Sequence, residues 1–139
     1  MQRVAMIFVV ITALGICGAA QDQGTAKQSA ENAAQGWLVL VDKADYGASW
    51  EQAASMFKSN VTKGKWQETI GGARRPLGNV LSRKLMSATY TTELPGAPDG
   101  QYVVIQYETS FENKKSAVET ITPMLEKDGQ WRVSGYFIR

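Results

Sequence analysis

Residues 102–139 read YVVIQYETSFENKKSAVETITPMLEKDGQWRVSGYFIR. Runs rich in β-branched and aromatic residues, at 102–111, 117–127 and 131–139, alternate with short polar segments. Such runs predict strands, and Asp128-Gly129 is among the strongest signals for a two-residue hairpin turn. Asn113-Lys114 predicts the other reversal. We therefore predict three consecutive antiparallel strands joined by tight turns.

A fourth strand is predicted before these three. Residues 86–92, MSATYTT, are rich in β-forming side chains and alternate in polarity. The segment 95–100, PGAPDG, follows as a turn because proline and glycine interrupt regular structure. The four strands would form an antiparallel meander.

Helices are predicted upstream of the sheet. Apolar residues recur at three- and four-residue spacing over 27–45, which is typical of an amphipathic helix. Thr25 with Gln28 has the spacing of a capping box at its start. The Ser49 to Gln52 segment reads as a second capping box, opening a helix that ends near Lys58. A third helix is predicted over 61–73. It would end there because Pro76 prevents its continuation.

The predicted fold class is therefore α+β, with three N-terminal helices packed on a curved four-stranded antiparallel meander sheet. The domain would span 27–139, after a signal peptide at 1–20 and a flexible leader at 21–26.

The N-terminus has the order of a secretory signal peptide. A positive start, Met1-Gln2-Arg3, precedes the uncharged run Val4–Ile16 and the small residues Gly18-Ala19-Ala20. As a helix the uncharged run would reach about 20 Å, short of the roughly 30 Å hydrocarbon core of a bilayer. We predict cleavage after Ala20 and a periplasmic or secreted protein.

Lipidation of Cys17 is the alternative for the N-terminus. Leu14-Gly15-Ile16-Cys17 resembles a bacterial lipoprotein box, in which the cysteine becomes the first mature residue. That pattern has a small residue before the cysteine, whereas this chain has Ile16 there. Cleavage after Ala20 is the preferred reading.

Composition excludes several classes of function. The 139 residues include no histidine, one cysteine and a formal net charge of +2. Without histidine there is no Ser–His or Cys–His nucleophile pair and no histidine metal site. The small net charge argues against nucleic acid as a partner, and one cysteine excludes an internal disulfide framework. No cofactor and no metal are predicted.

Two-residue turns would fix which strand residues face the helices. They place Tyr107 opposite Thr120, Ile105 opposite Thr122, and Met124 opposite Val133. The predicted inner face then consists of Val103, Ile105, Tyr107, Phe111, Val118, Thr120, Thr122, Met124, Trp131, Val133 and Phe137.

The same register puts two carboxylates together on the outer face. Glu108 would lie opposite Glu119, and like charges directly opposite are destabilising. A cation such as Arg83 or Arg132 between them, a different register, or a raised carboxyl pKa would each resolve the conflict. The interior would then hold no Asp or Glu able to accept a proton.

The predicted outer face is also unusually apolar. Its apolar members are either scattered surface residues or a homodimer interface. They are Val104, Ile121, Leu125, Tyr136 and Ile138.

The order of elements and several short motifs resemble a known family. The match spans about 35–137 and is carried by Trp37, Asp45-Tyr46, Ser49-Trp50, Lys65-Trp66, Arg75-Pro76-Leu77-Gly78, Arg83, Leu94-Pro95-Gly96 and the closing run Trp131–Tyr136. The chain resembles the exported bacterial domain of unknown function 4019 family, within the nuclear-transport-factor-2-like (cystatin-like cone) superfamily. The resemblance implies a fold and a compartment, and it carries no activity with it.

A pocket between helices and sheet is the candidate binding site. Aromatic walls with a few polar groups are typical of ligand sites. The candidates are Trp66, Tyr90, Tyr107 and Trp131 as walls, with Thr120 and Thr122 as polar groups. Core packing is the alternative role for the tryptophans.

Two acidic residues of the first helix are the candidates for acid–base chemistry, namely Asp42 and Asp45. The alternative for Asp45 is a helix-end or turn residue. Because the predicted interior holds no Asp or Glu that could accept a proton, we predict a non-catalytic binding or protein-interaction module. Its partner would be a protein or a small hydrophobic ligand. The alternative is a small-ligand carrier or an acid–base enzyme that uses the pocket.

Overall fold

Among the described residues, helices come first along the chain and strands follow. A computed structural model describes residues 18–139, with side chains described from Asp22 onward. The elements are α1 (Gly18–Asp42), α2 (Tyr46–Glu51), α3 (Ser55–Asn60), α4 (Lys63–Arg74), a 3-10 turn (Arg75–Leu77), β1 (Val80–Thr91), β2 (Tyr102–Phe111), β3 (Lys114–Leu125) and β4 (Trp131–Ile138). The strands form one antiparallel sheet in the order β1-β2-β3-β4. The α+β class and the meander are confirmed. Among the residues so described, no helix has both the length and the apolarity needed to cross a bilayer.

The first helix is longer than predicted. It begins at Gly18, so residues 21–26, expected as a flexible leader, are helical. This segment contains no proline to prevent it. Thr25 lies inside α1 and does not cap it.

The predicted second helix is two helices. Residues between α2 and α3 leave the helical path because Ala54 N–H donates a hydrogen bond to the Val133 carbonyl of β4, at 2.8 Å. Ala53 and Ala54 are both fully buried there. Ser49 was predicted to cap this helix, but it lies inside α2 and does not cap it. The true cap in this region is Thr62, whose hydroxyl accepts from Lys65 N–H at the start of α4.

The core lies between α1 and one face of the sheet. Ala30 and Ala34 are completely buried, and these small side chains let α1 approach the strands closely. Larger residues of α1 and of β2, β3 and β4 fill the space between them. They are Trp37, Leu38, Val41, Val103, Ile105, Ile121 and Val133.

The register between β2 and β3 differs from the prediction by one residue. Phe111 pairs with Lys114, so the turn is Glu112-Asn113, and a β-bulge follows between this pair and Thr109. Ile105 therefore pairs with Ile121, and not with Thr122. The turn is held by tertiary contacts, because Glu112 N–H donates to Asn79 O and Asn113 N–H to Leu77 O, each at 2.9 Å.

The turn between β3 and β4 also differs from the prediction. Glu126 N–H donates to Gln130 O, which leaves a three-residue loop ending at Gly129 with a φ of 81°. Glycine is favoured in that left-handed conformation. Met124 consequently pairs with Arg132 instead of Val133. An extra residue at Ser134 then restores the predicted pair of Thr122 and Gly135.

These shifts reverse most of the predicted facing of β3. Directly paired residues share a face, so Glu119 joins Tyr107 and Ile121 joins Ile105 on the inner face. The predicted inward positions on β3 lie instead on the outer face; they are Val118, Thr120, Thr122 and Met124. On β4 the extra residue turns Tyr136 inward and leaves Phe137 outside at 50% exposure.

Two conclusions from the predicted register are therefore wrong. Glu108 pairs with Lys84 and Val118, so it does not oppose Glu119. Glu119 itself is fully buried beneath the helices, so the interior does contain a carboxylate.

The predicted dimer surface does not exist as a set on one outer face. Ile121 is completely buried and belongs to the core, and Tyr136 packs against that core. Leu125 and Ile138 pair with Trp131 and Glu119 respectively, which places them on the inner side too. Of the predicted set, Val104 lies outside, paired with Thr89.

Candidate functional site

Aromatic side chains fill the space predicted to be a pocket. Trp37 packs against Trp66 and Tyr136, with ring centroids 5.9 and 5.3 Å apart. Phe57 contacts Trp66 edge-on at 4.8 Å. Trp66 is 6% exposed and Tyr107 4% exposed. The interior is packed as a core at these positions.

Ser49 organises this aromatic core by hydrogen bonds. Its hydroxyl accepts from Trp66 Nε1 at 2.9 Å and donates to Tyr46 O at 2.7 Å. Its carbonyl accepts from Trp37 Nε1 at 2.8 Å. A buried polar group needs such partners, and here it satisfies two indole N–H groups at once.

A charged cluster lies at one end of the core. Arg83 of β1 donates from Nε to Glu119 Oε1 at 2.7 Å and from Nη1 to Asp42 Oδ2 at 2.8 Å. Thr109 donates to Glu119 at 2.5 Å, and Tyr136 donates its hydroxyl to the other oxygen. Asp42 also accepts from Arg74, which lies over the ring of Phe111 at 5.0 Å.

The surroundings of Asp42 and Tyr136 shift the pKa of each in this cluster. For Asp42, burial alone would raise the pKa, but hydrogen bonds from Arg83 and Arg74 outweigh it and hold the pKa below its usual range. Burial, and then the nearby charge of Glu119, raise the pKa of Tyr136. Tyr136 therefore stays neutral and donates its proton to a hydrogen bond. The cluster is a set of compensated charges that ties α1 and α4 to the sheet.

An open groove runs between α1 and β4. Its main part has a volume of about 450 Å³ and is lined by Asn32, Ala33, Gly36, Trp37, Glu51, Gln52, Gln130, Trp131, Arg132 and Val133. A second part of about 380 Å³ shares Asn32, Ala33, Gln130 and Trp131 with it and adds Ser29 and Gly129. The shared residues make the two parts one continuous groove.

Trp131 differs from the other tryptophans of the chain. The indole N–H groups of Trp37, Trp50 and Trp66 each donate to a protein oxygen at 2.8 or 2.9 Å. Within residues 18–139, no hydrogen-bond partner is found for the indole N–H of Trp131. Its ring is half-buried in the groove. Trp131 is therefore the tryptophan that is placed to contact a ligand.

A family model described as "Protein of unknown function (DUF4019)" matches residues 33–136. The chain belongs to the DUF4019 family. The DUF4019 region contains α2, α3, α4 and all four strands except the last residues of β4. It includes all residues of the groove apart from Ser29 and Asn32. No curated protein matches the chain.

The predicted site residues within the DUF4019 region do not converge on one pocket. Trp66 and Tyr107 belong to the core, and Trp131 lines the groove. Tyr90 lies on edge strand β1, where its hydroxyl donates to Gln101 at 3.1 Å. Thr120 and Thr122 lie on the opposite face of the sheet, because the register differs by one residue.

The two predicted acidic candidates have different surroundings. Asp42 belongs to the charged cluster, with its side chain 28% exposed. Asp45 is exposed at the residue before α2 and makes no side-chain capping bond. Asp45 therefore lies at a helix end, as the alternative prediction for this residue stated.

Sequence reasoning missed the polar residues of the groove. Asn32, Gln52 and Gln130 are exposed and lie on three separate elements or turns, so no spacing in the chain connects them. It also missed the cluster around Glu119, although Arg83 was considered as a cation for that carboxylate. Placing the turn between β2 and β3 at Glu112-Asn113 would have put Glu119 on the inner face and so indicated the cluster.

Proposed function

We propose that this protein is a non-catalytic binding module and that the groove between α1 and β4 is its ligand-binding surface. The observation that carries the proposal is Trp131, which lines this groove with a half-buried ring and whose indole N–H has no hydrogen-bond partner among the described residues. Ligand sites combine apolar walls with a few polar groups in a volume of about 300–1,000 Å³. A groove of about 450 Å³ with Trp131 and three carboxamides fits that description.

Packing of the interior supports binding at the groove over binding inside the fold. The helices-then-meander order supports a further assignment, to the cystatin-like cone of the nuclear-transport-factor-2-like superfamily. In such a cone a ligand would enter between helices and sheet. Here that region is occupied by Trp37, Phe57 and Trp66, so the rim beside β4 is the better candidate.

The environment of Glu119 supports a non-catalytic role. The sequence suggested that role because no carboxylate was expected in the interior, whereas here the reason is that the interior carboxylate is buried and bonded. A carboxylate is present in the interior, but it is completely buried and bonded to Arg83, Thr109 and Tyr136. A general base must come within hydrogen-bond reach of a substrate proton. Glu119 does not line the groove, and Glu51, which does, is paired with Lys63 at 2.8 Å.

We also propose that the protein is exported to the periplasm or secreted. The charged, apolar and small-residue order of Met1–Ala20 supports export. Mass spectrometry of the protein from the cell envelope or medium should show a chain that begins at Gln21. A mass carrying acyl groups on Cys17 would replace cleavage after Ala20 with lipid anchoring, and an intact Met1 would overturn export.

NMR titration tests the binding surface with three named probes. The probes are tetra-N-acetylchitotetraose (called chitotetraose below), tetra-alanine and octanoate, added to ¹⁵N-labelled protein while the indole N–H signal of Trp131 is followed. We expect at least one probe to give saturable shifts that map to residues of α1 and β4 around the groove. Saturable shifts that map elsewhere, or none with any probe, would refute the proposal.

A pair of glycine variants on α1 provides the matched control. Gly36 lines the groove, Gly24 does not, and neither has an atom within 4 Å of an added Cβ. Leucine at either position replaces a poor helix former, which stabilises the helix by up to about 1 kcal/mol. Gly36→Leu should therefore abolish binding without unfolding the protein, whereas Gly24→Leu should leave binding unchanged.

A further inference from the structure

We infer that the groove between α1 and β4 binds an uncharged carbohydrate, whose ring packs on Trp131 and whose hydroxyl groups bond to the carboxamides around it. The inference rests on the proposed binding function and names the chemical class of the ligand. Four features of the groove support this class, namely its aromatic ring, its free amides, its paired arginine and the occupied strand edge at Val133.

The hydrogen-bonding groups of the groove are carboxamides. Each amide offers donors and acceptors together, which matches hydroxyl groups that also do both. Among the described residues, the side chains of Gln52 and Gln130 make no hydrogen bond to protein, and Asn32 uses only its oxygen, which accepts from Gln28 at 3.1 Å. Both functions of most of these amides are therefore free for a polyhydroxylated ligand.

The one cation that lines the groove among the described residues already has carboxylate partners. Arg132 pairs with Glu126 at 2.7 Å and with Asp128 at 2.9 Å. Glu51, which also lines the groove, pairs with Lys63 at 2.8 Å. An anionic ligand would have to compete with two carboxylates for Arg132, whereas a neutral ligand leaves these pairs in place. The ion pairs therefore favour a neutral ligand over an anionic one.

The strand edge beside the groove is occupied at Val133. An extended peptide binds a sheet edge through main-chain hydrogen bonds. β4 is an edge strand, but the carbonyl of Val133 already accepts from Ala54 N–H. The linker between α2 and α3 thus takes the edge position at Val133, which lines the groove, and this favours a ligand bound through side chains over an added strand.

Small residues opposite the tryptophan leave room for a ring. Ala33 and Gly36 form the α1 wall of the groove, and an added Cβ at Gly36 would meet no atom within 4 Å. A flat sugar face can therefore lie on the indole of Trp131. Aromatic rings contribute large apolar contact areas at little cost in conformational entropy. The two adjoining parts, of about 450 and 380 Å³, leave room for a short oligosaccharide.

Titration with matched oligosaccharides tests this class. Chitotetraose is the neutral probe, tetragalacturonate the charged one and tetra-alanine the peptide, each followed by the NMR signals of the groove and by tryptophan fluorescence. We expect chitotetraose to bind saturably and the other two to bind at least about tenfold more weakly, a difference of about 1.4 kcal/mol. Trp131→Ala should abolish the binding, and Trp131→Phe should retain part of it because an aromatic face remains.

The outcomes separate the ligand class from the binding function. Saturable binding of tetra-alanine or tetragalacturonate at the groove, without binding of chitotetraose, would refute the carbohydrate class and leave the binding function standing. Binding of chitotetraose that survives both Gly36→Leu and Trp131→Ala would show another site and refute the inference. If none of these three probes and not octanoate either causes shifts at the groove, both the class and the function are refuted.

Discussion

Glu119 is a charged side chain with no exposure to solvent, and Arg83 is the cation that compensates it. Removing one partner of a buried ion pair leaves an uncompensated charge and costs about 3–5 kcal/mol. We expect Arg83→Met to lower the free energy of unfolding by that amount. Asp42 is less affected, because it retains Arg74 as a partner.

The double variant distinguishes this explanation from simple loss of packing. In Arg83→Met with Glu119→Met, no buried charge is left unpaired, so the double variant should be more stable than Arg83→Met alone. Urea unfolding of four proteins, the wild type, the two single variants and the double variant, measures the difference. If the two substitutions instead add their costs, the stabilising role assigned to this pair is wrong.

Among the elements, α4 depends on a cap that the structure locates at Thr62. Its hydroxyl accepts from Lys65 N–H at 3.3 Å, one of the free donors at the start of the helix. Thr62→Ala should lower the free energy of unfolding by about 1 kcal/mol. Circular dichroism during urea unfolding measures this change.

Thr25 is the matched control for that prediction. Its sequence context also predicts a cap, but it lies inside α1, where alanine is the better helix former. Thr25→Ala should therefore leave stability unchanged or raise it slightly. A loss equal to that of Thr62→Ala would mean that α1 begins near Thr25 in solution.

Elements whose patterns are local could be predicted from the sequence. Strand β2 has the predicted bounds, Tyr102–Phe111, because it is a long run of β-forming residues. The turn after it could not be predicted, because residues distant in the chain decide it. Gly78, with a φ of 75°, lies so close to Glu112 that an added Cβ would come within 3.0 Å of that side chain. This close approach, together with the hydrogen bonds that Glu112 N–H and Asn113 N–H donate to Asn79 O and Leu77 O, holds Glu112-Asn113 as the turn.

At the scale of the whole molecule, the register error explains what was missed in the candidate site. Side chains alternate in direction along a strand, so a shift of one residue exchanges inner and outer positions. That exchange concealed Glu119 and placed Thr120 and Thr122 at a pocket. The groove could not be predicted from the sequence for another reason. It lies between α1 and the turn near Gln130, and no local pattern in the sequence relates those two segments.

Acid stability is the property of the whole molecule that its carboxyl groups determine. Burial alone would raise the pKa of Asp42, but its hydrogen bonds with Arg83 and Arg74 outweigh burial and lower this pKa. Burial would likewise raise the pKa of Glu126, but the hydrogen bonds from Ser55 N–H and Arg132 outweigh it and lower this pKa too. A folded-state pKa below the unfolded value of about 4 gives stability that is present at neutral pH and is lost as pH falls through the folded value. Urea midpoints should therefore be steady between about pH 7 and 5 and decline below about pH 4. Asp42→Asn with Glu126→Gln should be less stable at pH 7 and decline less steeply, so that the two curves converge in acid. Parallel curves would contradict this assignment of the acid-sensitive groups.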